Sequence, residues 1–220
     1  MNNSTGQRLW DAAIALSYYF SLHTHLLLLP SHSPTTSKDE ESTTKRPRLA
    51  GRRTKILELG GGLALVSLVA SSLLSHNDPS VEVICTDVAV TVDTTLAENL
   101  LANRRIKVRA EVLDWGPVTM EKIEQVPGWK EDETEFDLTI IASDVLYHPE
   151  SHALLLRTML DLFAFIEERN RGRGGCQAFI AYKPRTEGDD AFFDLSRGKG
   201  LEVGLCWSFG AIQVYRFSTA

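Results

Sequence analysis

The period of the apolar positions changes repeatedly along the chain. Leu9, Ala13, Leu16, Phe20, His23 and Leu27 fall at helical spacing, predicting one amphipathic helix over 9–29. From Lys55 onward, short apolar runs alternate with helical patterns. KILEL (55–59), VEVICTD (81–87), KVRAEVLDW (107–115), FDLTIIASD (136–144) and QAFIAYK (177–183) predict strands. Helices are expected between them. Leu65–Leu74 carries Leu65, Leu68, Val69 and Ser72 on one face, and Val92–Asn103 is spaced through Leu96, Leu100 and Asn103. Pro149 opens a third helix, reaching about Glu168. Phe192–Arg197 reads as a short helix or turn. LEVGLCW (201–207) and AIQVYRF (211–217), split by Ser208-Phe209-Gly210, predict an antiparallel hairpin. No internal repeat is visible.

Strands alternating with helices predict an α/β sheet with helices on both faces, made mixed by the closing hairpin. One stretch breaks the pattern. Ser31–Thr54 holds a single large aliphatic residue, Leu49, among small, polar and charged ones. Such a composition buries too little surface to offset chain entropy and predicts a flexible linker or loop. Three parts result: an N-terminal helical element (1–30), the linker (31–54) and the main domain (55–220). The linker's second half is basic, with Lys45, Arg46, Arg48, Arg52 and Arg53, and Lys55 follows. A solvated surface loop is the expected reading; a nuclear-import signal or a substrate-steering patch is the alternative.

Charge and cysteine usage narrow the function classes. The 220 residues carry 23 Lys and Arg against 29 Asp and Glu, a net charge of −6. This argues against nucleic acid or an anionic membrane as the main partner. Cys85, Cys176 and Cys206 are odd in number and widely separated, so neither a disulfide framework nor a zinc site is indicated. A reducing, intracellular compartment follows, cytoplasmic with the nucleus as second choice. Polar residues interrupt the apolar stretch 12–29. Asp11 precedes it and no small-residue cleavage site comes before Pro30, so neither a membrane span nor a secretory signal is expected.

The richest chemistry lies in ILELGGGLALVSL (56–68), a strand running into Gly60-Gly61-Gly62 and then a helix. Glycines let the backbone turn tightly and let a ligand approach the main chain. The dinucleotide pattern G-x-G-x-x-G fails at its third glycine, and Glu58 would repel a phosphate. Glu58 suits a ligand bearing a cationic centre instead. Asp87 closes the second strand and is either a turn or cap residue or, with Glu58 and the glycines, a ribose acceptor. Asp114 and Trp115 close the third strand. They can accept a hydrogen bond from an adenine amine and cover a base, though Trp115 reads nearly as well as core. Ser143, Asp144 and Tyr147 close the fourth strand, on the ligand side of an open α/β sheet, with helix capping the alternative for Asp144. His148 and His152 are four apart, but no third ligand is nearby, and a metal is not expected.

Together these motifs resemble the class I, seven-β-strand S-adenosylmethionine-dependent methyltransferases, and within them methyltransferase family 16, which contains many protein-lysine methyltransferases. LWDAA (9–13) resembles the family's N-terminal Trp motif, LELGGGLAL (57–65) its glycine-rich motif and DVLY (144–147) its DxxY signature. YKPR (182–185) with DDAFF (189–193) resembles the segment after strand five. The resemblance implies a Rossmann-like seven-stranded mixed sheet and S-adenosylmethionine as cofactor. It implies cofactor contacts from Trp10, Glu58, Gly60, Gly62, Asp87, Asp114, Trp115 and Ser143, and catalytic roles for Asp144 and Tyr147. The implied acceptor is a lysine on a basic segment or a folded protein, with a small-molecule amine or a silent binding domain as alternatives and a monomer as the expected state. A nicotinamide-dependent oxidoreductase is disfavoured by Glu58 and the missing third glycine. The chain departs from the family at Ala64, where Gly is common, in the length of the 31–54 insertion, and in the short stretch before the Trp motif.

Overall fold

The computed structural model describes residues 8–29, 53–74, 78–119, 122–123, 129, 135–171, 175–185 and 190–219. Helix α1 (Asp11–Leu22) leads through a 3-10 turn (Thr24–Leu27). Then follow β1 (Arg53–Leu59), α2 (Leu65–Leu73) and β2 (Val81–Asp87). Next comes α3 (89–102), a helix with a π-helical centre, Val92–Leu96, and then β3 (Arg109–Val112) and β4 (Phe136–Ser143). A 3-10 turn (Pro149–Ser151) opens α4 (His152–Arg169), followed by β5 (Cys176–Tyr182), α5 (Ala191–Gly198), β6 (Leu201–Phe209) and β7 (Ile212–Thr219).

The strands form one seven-stranded sheet in the order β3-β2-β1-β4-β5-β7-β6. β1 to β5 pair in parallel, and β7 runs antiparallel to both β5 and β6. The sheet is buried on both faces, which is why its central strands read as near-continuous apolar runs. Side chains alternate between the faces with the strand period of two. Ile56, Ile141 and Phe179 pack with α1 and α2, through Leu16, Phe20, Val66 and Ala70. Leu57, Ile140 and Ile180 pack with α4 and α5, through Met159, Phe163, Phe192 and Phe193. β1 and β4 are sequence-distant neighbours with crossovers running away on either side, and the crevice at their carboxyl ends is where such sheets bind ligands.

The sequence pattern and the structure part company in several places. The linker expected over Ser31–Thr54 overlaps β1: Arg53 pairs with Phe136, and Thr54 with both Val81 and Asp137. The rest of that segment lies outside the described residues. Lys55 is buried at 1 % exposure, its Nζ 2.7 Å from Glu82 Oε2 and 5.0 Å from the Phe136 ring centroid. A carboxylate and an aromatic face meet the charge, which is how a lysine can stand inside a strand.

The expected helix over 9–29 ends at Leu22. His23, at φ −129°, breaks it, and the 3-10 turn that follows is tied to the sheet. Thr139 Oγ1 donates to Leu27 O, and Gln177 Nε2 donates to Leu26 O. Ala13, Leu16, Phe20 and Leu27 are buried as the period predicts, but Leu9 is exposed. α2 buries Val66, Ser67, Leu68, Ala70 and Ser71, while Ser72 faces outward. It is covered on two sides, by α1 and by α3, so small residues rather than a single leucine stripe mark its buried surface. β3 is shorter than expected because it is the edge strand and pairs with β2 alone. The hairpin turn is tighter than expected: only Gly210 and Ala211 separate β6 from β7, with Gly210 at φ 59°.

Candidate active site

A cleft of about 470 Å³ opens at the carboxyl ends of β1, β2 and β4, within the size range of small-molecule sites. Trp10, Gly60, Gly62, Asp87, Asp114, Trp115, Ser143, Asp144 and Tyr147 all line it. Residues up to 137 positions apart therefore share one surface, because every strand end that contributes points the same way.

The floor is the β1–α2 loop. Gly60 and Gly62 adopt φ 66° and 51°, and a Cβ at Gly60 would stand 3.1 Å from both Trp115 and Val145. The most demanding position is Gly61, which the sequence reading passed over. A Cβ there would lie 2.1 Å from Cys85 Sγ and 3.5 Å from the Glu58 carboxyl group. The loop is pressed against β2, and a side chain at 61 has no room. Ala64 is buried and left-handed at φ 57°. It holds a conformation that costs an L-residue on the order of 1 kcal/mol.

Glu58 does not line the cleft. It is buried beneath the loop at 1 % exposure, where Oε2 accepts hydrogen bonds from the Ser67 N–H at 3.0 Å and the Cys85 thiol at 3.5 Å. It braces the first turn of α2 from behind rather than meeting a ligand. Burial pushes its pKa up to about 7, with the Ser67 hydrogen bond pulling the other way. Burial likewise pushes the Cys85 thiol well above its ordinary value.

Asp87 joins β2 to the loop. Its Oδ2 accepts from the Gly62 N–H at 2.8 Å, and its Oδ1 from the Val88 N–H at 2.8 Å. Both oxygens stay at the cleft wall with lone pairs to spare, so the carboxylate can cap the backbone and still accept from a ligand hydroxyl. Asp114 and Trp115 lie past β3, with Trp115 partly buried against the main core and over Gly60. Core packing and a cleft-facing ring thus coexist in this tryptophan.

Directly after β4, Asp144 takes φ 58°, a left-handed conformation that Asp tolerates better than most residues. Its carboxylate is 6 % exposed and pairs with the Arg185 guanidinium at 2.5 Å. Arg185 also stands 5.4 Å from the Trp10 ring centroid, and Arg8 stands 5.6 Å from the same ring. Lys183 reaches Asp11 Oδ2 at 3.4 Å, tying the strand-five exit to α1. Tyr147, 40 % exposed, stands at the rim beside His148. Arg8, which lines the cleft, and Arg185, which pairs with Asp144, are charged residues that the sequence reading did not single out. A charged residue in a loop leaves no periodic signal, and only the YKPR segment (182–185) marked the place.

The two histidines serve structure. His152 is buried, with Nε2 3.0 Å from Leu146 O and its ring against Phe192, while His148 pairs with Glu150 at the surface. Among the described residues no group of three or more His, Cys, Asp or Glu could hold a metal ion, and no helix is long and apolar enough to cross a membrane. Cys85, Cys176 and Cys206 are free thiols.

These surfaces fit an adenosyl ligand. A side-chain-free loop offers close backbone approach, a carboxylate stands at the end of β2, an aromatic follows β3, and no cationic side chain stands on the glycine loop where a phosphate would need one.

Comparison with known proteins agrees. The chain is 29% identical over 205 residues to the protein N-terminal and lysine N-methyltransferase efm7 of Neurospora crassa. The match covers 89% of this chain but only 61% of that protein's length. Among solved structures, the delta-N METTL16 MTase domain superposes with a TM-score of 0.54 at 8% identity, over 96% of this chain and 83% of that one, a likeness of fold. The family model described as lysine methyltransferase matches residues 1–198. With the seven-stranded Rossmann-like sheet of S-adenosylmethionine-dependent methyltransferases and a motif match across most of its length, this chain belongs to the lysine methyltransferase family, methyltransferase family 16.

Proposed function

We propose that this chain moves a methyl group from S-adenosylmethionine to the side-chain amine of a lysine on a protein. The observation that carries the reading is that one cleft gathers groups suited to both reactants. The glycine loop, Asp87, Asp114, Trp115 and Trp10 suit the cofactor, and Asp144 and Tyr147 line the same cleft where an acceptor amine could reach it.

The roles follow from chemistry. When bound, the cofactor supplies a methyl group on a sulfonium; the amine nitrogen forms the new N–C bond as the C–S bond breaks. The loop at 60–62 and Asp87 would hold the adenosyl part, while Glu58 keeps that loop pressed against β2. Trp10 would contact the cofactor, and Tyr147 would shape the channel to the acceptor. A lysine must be neutral to attack, against an ordinary pKa of about 10.4. Asp144 would accept a hydrogen bond from the amine and aim its lone pair, with the last proton leaving to water. Holding two reactants at near-attack distance can supply several kcal/mol, so positioning alone makes a large contribution.

The Neurospora relative is named for protein N-terminal as well as lysine methylation, which makes a protein α-amine the second acceptor to test. The net charge of −6 supports an acceptor in a basic segment. A monomer in the cytoplasm or nucleus completes the proposal, with three free thiols supporting a reducing compartment.

Incubation with radiolabelled cofactor and cell lysate tests it, with calorimetry against S-adenosylmethionine and NAD alongside. Label on protein bands, mapped to lysine or α-amine after hydrolysis, is the expected result. Label confined to small molecules overturns the protein substrate, and absence of S-adenosylmethionine binding overturns the cofactor.

A further inference from the structure

Carboxylates dominate the charge of the cleft. Asp87, Asp114 and Asp144 line it, and Arg8 is the only lysine or arginine among the described residues that do. Asp87 is engaged by the Gly62 and Val88 N–H groups, and Asp144 by Arg185. Arg8 stands just before α1, with its guanidinium 5.6 Å from the Trp10 ring centroid. Trp10 is the N-cap of α1, which buries Ala12, Leu16 and Phe20, so the backbone carrying the ring is anchored to the core. A cation over an aromatic face is attracted to it, and this keeps Arg8 at the cleft.

S-adenosylmethionine brings an anion into these surroundings. Its methionine part ends in a carboxylate, which the Asp side chains would repel. At a loop that runs into a helix, backbone N–H groups commonly meet such an anion. Here many of them are committed to the protein. The Gly61 N–H donates to Thr86 O at 2.9 Å and the Ala64 N–H to Gly61 O at 2.7 Å. The Gly62 N–H donates to Asp87 Oδ2 at 2.8 Å and the Ser67 N–H to Glu58 Oε2 at 3.0 Å. A side-chain cation is the partner left in place for the carboxylate.

We propose that Arg8 binds the carboxylate of the cofactor's methionine part, its planar fork matching the two carboxylate oxygens. This rests on S-adenosylmethionine as the cofactor. It makes Arg8 a specificity-determining residue, because it separates adenosyl ligands that keep the amino-acid carboxylate from those that have lost it. Its effect falls on which cofactor is held, and the acceptor does not enter.

Two ligands that differ by that one group test it. S-adenosylmethionine and its decarboxylated form are titrated calorimetrically into the wild type, Arg8→Ala and Arg8→Lys. The wild type should bind the carboxylated ligand roughly tenfold more tightly than the other, the size of one charge-assisted contact after solvent screening. Arg8→Ala should lose about that factor for S-adenosylmethionine and keep wild-type affinity for the decarboxylated form. Arg8→Lys retains the charge without the fork and should recover part of the loss. Added salt should weaken S-adenosylmethionine binding more in the wild type than in Arg8→Ala. Arg8 is exposed, so the three proteins should unfold at the same temperature.

Equal losses for both ligands in Arg8→Ala overturn the proposal and leave Arg8 as a support for Trp10. Unchanged S-adenosylmethionine affinity in Arg8→Ala also overturns it, and turns Arg8 toward an acidic group on the acceptor protein. Absence of S-adenosylmethionine binding in the wild type removes the cofactor assignment itself, a different result from either.

Discussion

Gly61 backs onto Cys85 so closely that a Cβ at position 61 would stand 2.1 Å from the Cys85 sulfur. Neither partner can yield. Cys85 is fully buried in β2, between β1 and β3, and the loop is fixed by the Gly61 N–H donating to Thr86 O at 2.9 Å. Gly61→Ala should therefore lift the loop off the sheet and cost about 2 kcal/mol of stability, as overpacking does. S-adenosylmethionine affinity should fall roughly tenfold or more, the equivalent of about 1.4 kcal/mol. Thermal unfolding and calorimetric titration read the two effects. Wild-type affinity in a folded Gly61→Ala variant would show that the loop's contact with β2 does not shape the cofactor site.

Ala64→Gly should behave oppositely. The left-handed Ala64 backbone costs on the order of 1 kcal/mol, which glycine relieves. The same change deletes a buried methyl group worth about 0.8 kcal/mol. The two nearly cancel, so the midpoint of denaturant unfolding should move little and cofactor affinity should hold. A loss as large as that of Gly61→Ala would mean that Ala64 packing, not its backbone, dominates.

Asp87 and Asp144 should separate binding from turnover. Asp87→Ala removes the acceptor of the Gly62 N–H and Val88 N–H, and should weaken S-adenosylmethionine binding roughly tenfold or more. Asp144→Ala should leave that affinity largely intact while abolishing methyl transfer, read by radiolabel incorporation. The reverse pattern would exchange their roles.

Glu58 predicts a pH dependence. Burial raises its folded-state pKa to about 7, above an unfolded value near 4.5. Between these values the folded protein binds more protons than the unfolded one, so stability falls as pH rises. The contribution is fully present below the unfolded pKa and is lost as pH climbs through the folded one. Glu58→Gln keeps an acceptor for the Ser67 N–H and removes the titration. Denaturant unfolding at about pH 5 and about pH 8 should show a smaller loss of stability in the variant than in the wild type. An equal loss in both would place the titrating group elsewhere.

The fold and most of the cleft were legible because they rest on local patterns. The strand–glycine–helix unit at 56–68 and the DVLY run (144–147) each carry their geometry in neighbouring residues. What escaped depends on contacts distant in sequence. Glu58 reads as a ligand contact until β2 brings Cys85 over it, when it becomes a buried brace. Lys55 opens the KILEL run just past a basic stretch, and nothing local shows that Glu82 and Phe136 enclose it. Arg185 is anonymous until it meets Asp144, 41 residues earlier in the chain. Gly61 looks interchangeable with its neighbours until the sulfur behind it is known.

The strand order has a consequence for how the molecule is made. β7 follows β6 in the chain but lies between it and β5. During synthesis, the β5 edge with buried Ala178, Phe179 and Ile180 has no neighbour on that side until β7 emerges. β6 can join the sheet only through β7. An open edge of this kind is where nascent chains pair wrongly with one another. A ribosome stalled between β6 and β7 would present a half-built sheet to the cell, and chaperone capture should peak in that window.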